Sequence, residues 1–177
     1  VVLAEVADNA GGGAPSDSTF VLRRLVDRGV RDVAIGYFWD PVAVRFCAEA
    51  GVGATLDLRL GGKCGKVSGD PVDLVATVRA IRPDHSQTGL GGGVSPMGLS
   101  VWIEAAGIDI VLNTTRTQVF HPDGFSGLGL DPAARRIVVV KSTQHFQAGF
   151  APIAAEIRYV ATAGAIAPDF ATIAYTK

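Results

Sequence analysis

Three features of the sequence predict an α/β fold built on one mixed sheet. The first fifty residues show two strand–helix repeats, the middle alternates apolar and polar residues around glycine-rich turns, and a β-branched run lies near the end. Together they give parallel βαβ portions at both ends, antiparallel hairpins between them, and helices packed on the sheet.

Val1 to Ala7 forms a buried strand that ends at Asp8-Asn9 and three glycines. Pro15-Ser16-Asp17-Ser18 supplies helix-start chemistry, and Leu22, Leu25 and Val26 recur at helical spacing until Gly29. Val33-Ala34-Ile35 is a second short strand ending near Tyr37-Phe38-Trp39. Asp40-Pro41 is an N-cap with proline in the first helical position, and that helix runs to Gly51. Ala54 to Leu60 and Val72 to Arg82 alternate as strands joined through Gly61 to Pro71. After a loop from Gly89 to Gly98, Val101 to Ala106 and Ile108 to Asn113 flank Gly107 as a hairpin. Asp131-Pro132 opens a short helical turn, and Ile137 to Val140 is a buried strand. A helical segment starts near Gln144 and bends or ends at Pro152; Glu156 to Val160 is the last strand. No repeat or linker divides the chain, so residues 1–177 are expected to form a single domain.

Composition narrows the function. The chain has 16 basic and 17 acidic residues, a formal net charge of -1, so neither sign offers a patch for nucleic acid or an anionic membrane. No apolar run reaches membrane length and no secretory leader is visible. Cys47 and Cys64 form neither a CxxC pair nor a disulfide framework, which favours free thiols and a cytoplasmic location. The chain enters an apolar strand at its first residue, which suggests a domain of a longer polypeptide.

Two segments carry candidate chemistry. Asp8, Asn9, Gly11, Gly12 and Gly13 lie at a strand's carboxyl end, where open α/β sheets bind ligands, with Asp17 at the following helix. The glycines let backbone amides approach an anion, carboxylate or peptide carbonyl; the plainer alternative is a tight turn with Asp17 capping its helix. The segment lacks the G-x-G-x-x-G spacing, and Gly61 to Ser68 lacks that of a P-loop, so neither reads as a nucleotide site. Lys141-Ser142-Thr143-Gln144-His145 follows the most strand-like run and reaches the same sheet edge if that strand is parallel to the first. His145 could donate a hydrogen bond or shuttle a proton; equally, Ser142 or Thr143 could cap a helix there. Ser142 is no nucleophile, since no G-x-S-x-G elbow surrounds it. Arg116, among polar residues after a strand, could grip a carboxylate or simply be a solvated hairpin residue. His85, His121 and His145 are scattered without metal-ligand spacing, so no metal is expected in this chain. The Asn113-Thr114-Thr115 sequon has no meaning without secretion.

The segments Ala7 to Thr19, Trp39-Asp40-Pro41, Gly69-Asp70-Pro71-Val72 and Val140 to Phe146, in this order along nearly the whole chain, resemble the C-terminal domain of the microcystinase C (MlrC) family of zinc metallopeptidases. The resemblance implies a zinc-dependent peptidase or amide hydrolase whose zinc is held by a larger N-terminal domain. This chain would then complete or cover the substrate cleft and be inactive alone. Asp8, Asn9, the glycine amides, Asp17, Lys141 and Ser142 would contact a peptide or amide substrate, with His145 and Arg116 as catalytic candidates. The family pattern usually has proline after Asp-Asn and glycine before the helix aspartate; here those positions are Ala10 and Ser16. The alternatives are a module binding a small anionic metabolite and a structural domain that docks or forms homo-oligomers.

Overall fold

The computed structural model describes residues 1–166 and 171. In chain order its elements are β1 (Val2–Glu5), α1 (Phe20–Asp27), β2 (Val33–Trp39), α2 (Pro41–Ala50), β3 (Thr55–Leu60), β4 (Val72–Thr88), β5 (Val94–Ala105), β6 (Ile108–Asn113), α3 (Asp123–Ser126), β7 (Ile137–Val140), α4 (Gln147–Phe150) and β8 (Ile157–Val160). The eight strands form one mixed sheet in the order β3-β4-β5-β6-β2-β7-β1-β8. Residues 167–170 and 172–177, included in the single-domain expectation, lie outside the described residues.

The parallel block is β6, β2, β7, β1 and β8; β3, β4 and β5 join it through antiparallel pairings. Two successive reversals make β4 run in the direction of β6. The carboxyl ends of β1, β2, β4, β6 and β7 therefore meet at one edge of the sheet. β1 and β2, consecutive in sequence, are separated by β7, whose four β-branched residues fill the middle of the block.

Both faces of the parallel block are covered, which is why β2 and β7 read as unbroken apolar runs. Val33, Ile35 and Val139 face a core shared with Leu22 and Leu25 of α1 and Val44 and Cys47 of α2. Ala34, Tyr37, Val138 and Val140 face the other core, closed by Phe125, Phe146 and Phe150. Each of those fully buried rings contributes about 1.5–3 kcal/mol of burial free energy. The ends of α2 follow the sequence: the Asp40 carboxylate accepts from the Ala43 amide at 3.1 Å, and Pro41 sits in the first turn.

Three expectations are corrected, and one short helix was not foreseen. β4 continues past Arg82 to Thr88, and β5 begins at Val94, so the expected 89–98 loop shrinks to the tip Gly89–Gly93. Pro83, which argues against a continuing strand, falls inside a register shift between Arg82 and His85, where a ladder donor is dispensable. The short turn expected at Asp131-Pro132 is there, a single turn closed by Arg135 N to Pro132 O at 3.2 Å. α3 had no amphipathic pattern to announce it; four residues are too few to show one. The helix expected from Gln144 begins at Gln147, and Pro152 lies in the 3-10 turn that follows it. Asp17 does not cap α1: the residue before the helix is Thr19, and the Asp17 carboxylate is engaged elsewhere.

Candidate functional site

Beneath the carboxyl edge lies a charged anchor. β1 ends at Glu5 and continues into a 3-10 turn holding Asp8; Lys141 is the first residue after β7. The parallel pairing of β1 and β7 brings these termini together. The Lys141 ammonium donates to Glu5 Oε2 and Asp8 Oδ2, both at 2.8 Å, and to the Ser18 carbonyl at 2.9 Å. The Asp8 carboxylate also accepts from the amides of Ser16 and Ser18 at 2.8 Å, and Ser18 Oγ donates to Glu5 Oε1 at 2.9 Å. Lys141 is wholly buried, as lysine is only when paired. Burial alone would pull its pKa down; the charges of Glu5 and Asp8 and their hydrogen bonds outweigh it and hold the ammonium above its ordinary value. Asp8 and Lys141 thus fasten the loop to the sheet from inside.

Asn9 turns the other way. Its Oδ1 accepts from the Gly11 amide at 3.0 Å, and its Nδ2 donates to Thr143 Oγ1 at 3.0 Å, joining the loops after β1 and β7. His145 stands next to this junction, with Gln118 Nε2 donating to its Nδ1 at 2.8 Å. In that arrangement the imidazole carries its proton on Nε2 and offers it as a donor. Gln118 occupies the space beside Gly11: a Cβ on Gly11 would lie 1.5 Å from Gln118 Oε1. Any larger residue at position 11 would require the Gln118 side chain to move. Gly13 has φ 95°, the left-handed region that glycine adopts freely.

His145 and His121 line a cleft of about 210 Å³ together with Phe120, Gly149 and the Gly89–Gly92 tip of the β4–β5 hairpin. The tip reaches this edge because β4 extends to Thr88. Gln87 organises the wall: its Oε1 accepts from the Phe120 amide at 2.9 Å and from Tyr37 OH at 3.1 Å, and its Nε2 donates to the Gln118 carbonyl at 2.8 Å. Gln87 and Gln118 were not singled out in the sequence. Only the pairing of β4 with β5 and the path of the chain after β6 bring them here, and no local motif marks either.

The remaining candidates lie apart from this cleft. The Asp17 carboxylate is buried and accepts from the amides of Lys63 (2.7 Å) and Cys64 (2.9 Å) and from Ser68 Oγ, so it shapes the 61–71 turn. Arg116 lies exposed over the Trp39 ring, 3.9 Å from its centroid, with the guanidinium open to solvent. Ser142 is buried, and its hydroxyl has no hydrogen-bond partner among the described residues. Gly12 lies against Ile166, whose Cδ1 would be 2.5 Å from a Cβ there. Burial, then the charge of Asp17, push the Cys64 thiol up to about 11, so it offers no thiolate at neutral pH.

No three His, Cys, Asp or Glu side chains among the described residues converge where a metal could be held. The acids near the edge are occupied: Asp8 by Lys141 and two amides, Asp123 by Thr88 and His121. The zinc that the resemblance places in an N-terminal domain finds no ligand set among the described residues of this chain.

Residues 3–177 match the family described as MlrC C-terminus. The chain belongs to the MlrC C-terminal family. It is 39% identical over 162 residues to Microcystinase C of Sphingomonas sp, an alignment covering 92% of this chain and 32% of that protein. It also superposes on a crystal structure described as a "putative metallopeptidase" from Mesorhizobium sp. BNC1, with TM-score 0.80 and 27% identity, over 91% of this chain and 33% of that one. The chain therefore spans about a third of the length of these relatives. In this MlrC C-terminal chain, none of the described helices is long and apolar enough to cross a membrane.

Proposed function

We propose that this chain is the C-terminal domain of an MlrC-like zinc-dependent peptidase or amide hydrolase and forms one wall of its substrate cleft. The observation that carries the reading is the convergence of Asn9, Thr143, Gln118 and His145, from three loops, on one open edge of the sheet. The relatives contain two further thirds of chain, to which we assign the metal. The N-terminal part is the natural partner of this edge, and a peptide or amide the ligand between them.

The chain's own residues bind and orient. The His145 Nε2 proton is available to a carbonyl or leaving-group oxygen, and the Asn9–Thr143 link holds the two loops at a constant spacing. Arg116, stacked on Trp39 with free donors, would hold a peptide carboxylate. Gly11 and Gly12 keep backbone close to the edge, Asp8, Asp17 and Lys141 act from below by fixing loop positions, and Ser142 would lend the substrate its hydroxyl, unpaired among the described residues. Free Cys47 and Cys64 support a reducing, cytoplasmic compartment.

The test uses the chain joined to the N-terminal two-thirds found in its relatives. His145→Ala and Asn9→Ala should each lower peptidase kcat/KM by roughly 10- to 100-fold, the worth of one hydrogen bond to a developing charge. Full activity in both variants would refute a place for this edge in the cleft and favour the structural reading.

A further inference from the structure

The opposite end of the molecule carries a second surface. β3 is the terminal strand of the sheet, and its outer side pairs with no other strand among the described residues. Val78 N donates to Ala54 O at 2.9 Å, so by alternation the main-chain groups of residues 56, 58 and 60 face β4 and those of Thr55, Asp57 and Arg59 point outward. The close Thr55–Thr77 hydroxyl pair, 3.0 Å apart, agrees with that phase. No proline or bulge interrupts Thr55–Leu60; the edge is guarded only by the charges of Asp57 and Arg59 and by the Lys63 ammonium on the Arg59 carbonyl. Beside it, α2 presents Val42 and Phe46, 55% and 58% exposed, over an apolar groove of about 400 Å³ that also touches Leu56 and Leu58.

The sequence of this edge selects its own partner. In an antiparallel pair of β3 with itself about a twofold axis, centring on Asp57 sets carboxylate against carboxylate, and centring on Arg59 sets guanidinium against guanidinium. Centring on Leu58 sets Asp57 against the second copy's Arg59, twice, and Leu56 against the second copy's Leu60. Of these three registers only the last is free of like-charge contacts; it also forms two ion pairs and places the outward-pointing main-chain groups of 57 and 59 opposite each other. The same axis keeps both α2 helices on one face, with the grooves that Val42 and Phe46 share with β3 on either side of the seam. Asp57, without an ion-pair partner among the described residues, gains one. Arg59 can serve it while still holding Asp73 at 2.7 Å, and Lys63 can leave the Arg59 carbonyl while keeping Asp40.

We infer that two copies of this chain associate through antiparallel pairing of their β3 edges, with Leu58 on the twofold axis and Asp57 of each copy against Arg59 of the other.

Sedimentation of the 177-residue chain from low to high micromolar concentration tests this. A dimer is expected; Asp57→Arg should weaken it by about tenfold or more, and the triple variant Asp57→Arg/Arg59→Asp/Asp73→Arg, which keeps the 59–73 pair within the sheet, should regain it. A monomer throughout, a dimer indifferent to Asp57→Arg, or a triple variant no better than the single would overturn the inference. Hydrogen exchange on the unaltered chain decides independently of whether the variants fold. The Asp57 and Arg59 amides should gain protection as concentration rises, and amides that stay equally fast at every concentration would also overturn it.

Discussion

Asp8 and Asn9 are neighbours in sequence with similar side chains, yet they serve opposite sides of the same loop. Asp8 points inward, where Lys141 and the amides of Ser16 and Ser18 use its carboxylate fully. Asn9, also buried, runs along the loop and links Gly11 to Thr143 beside the exposed His145. The difference is one between anchoring and presenting. A loop that must hold polar groups at a constant place on a sheet edge needs an interior attachment, and the short, glycine-rich turn leaves only its first residues to make one. Substitutions on the two sides should therefore fail in different ways: on the inside through stability, on the outside through ligand chemistry.

The largest effect belongs to the anchor. Lys141→Met leaves Glu5 and Asp8 buried together without their cation, and should cost about 3–5 kcal/mol in chemical denaturation. A loss below about 1 kcal/mol would mean that the pair is solvated and that Asp8 is not the anchor described. Its pH dependence has a defined sign. The Lys141 pKa is raised above the unfolded value of 10.5, so its contribution is fully present below that pH and is lost as pH rises through the folded value. The stability difference between the two proteins should accordingly stay flat through neutral pH and shrink only in strong alkali.

Much of this comparison was legible in the sequence, though not its inward half. The strand before Asp8 and the β-branched run before Lys141 both announced themselves by composition. Whether the two strands run parallel was only a condition in the sequence; the register of β1 on β7 meets it and places both loops on one edge. What the pattern could not supply was direction: a carboxylate and a lysine far apart in sequence look like surface ligands until the register of β1 on β7 sets them 2.8 Å apart inside the protein. Asp17 was misjudged for the same reason, since its partners at 63, 64 and 68 belong to a turn with no local link to α1. Gln118 carried no signal because its role depends on the absence of a side chain at Gly11.

That dependence supplies a smaller prediction, on the outer side. Gly11→Ala places a methyl group where Gln118 Oε1 now lies, so Gln118 must withdraw from His145. The cost in stability should be about 1–3 kcal/mol, as for a modest overpacking. The more telling readout is the imidazole: nitrogen NMR should show His145 move from a single Nε2–H tautomer toward a mixture. An unchanged tautomer would show that Gln118 does not set it, and the outer half of the comparison would lose its organising contact.

The smallest effect tests the hinge between the two halves. Ser16 has φ 66°, a left-handed conformation that costs a non-glycine residue roughly 1–2 kcal/mol, and it stands where the family pattern usually has glycine. Its amide is held by Asp8, so the conformation is imposed by the anchor and not by the serine itself. Against relief of that strain stand two losses. The hydroxyl's bond to the Tyr37 carbonyl, long at 3.3 Å, disappears, and glycine adds unfolded-state entropy of about 0.5–1 kcal/mol. Ser16→Gly should therefore raise stability by a few tenths to about 1 kcal/mol, read from the denaturation midpoint at constant slope. A loss greater than about 1 kcal/mol would mean that the serine hydroxyl contributes more than its length suggests, and that the anchor relies on Tyr37 of β2 as well as on Lys141.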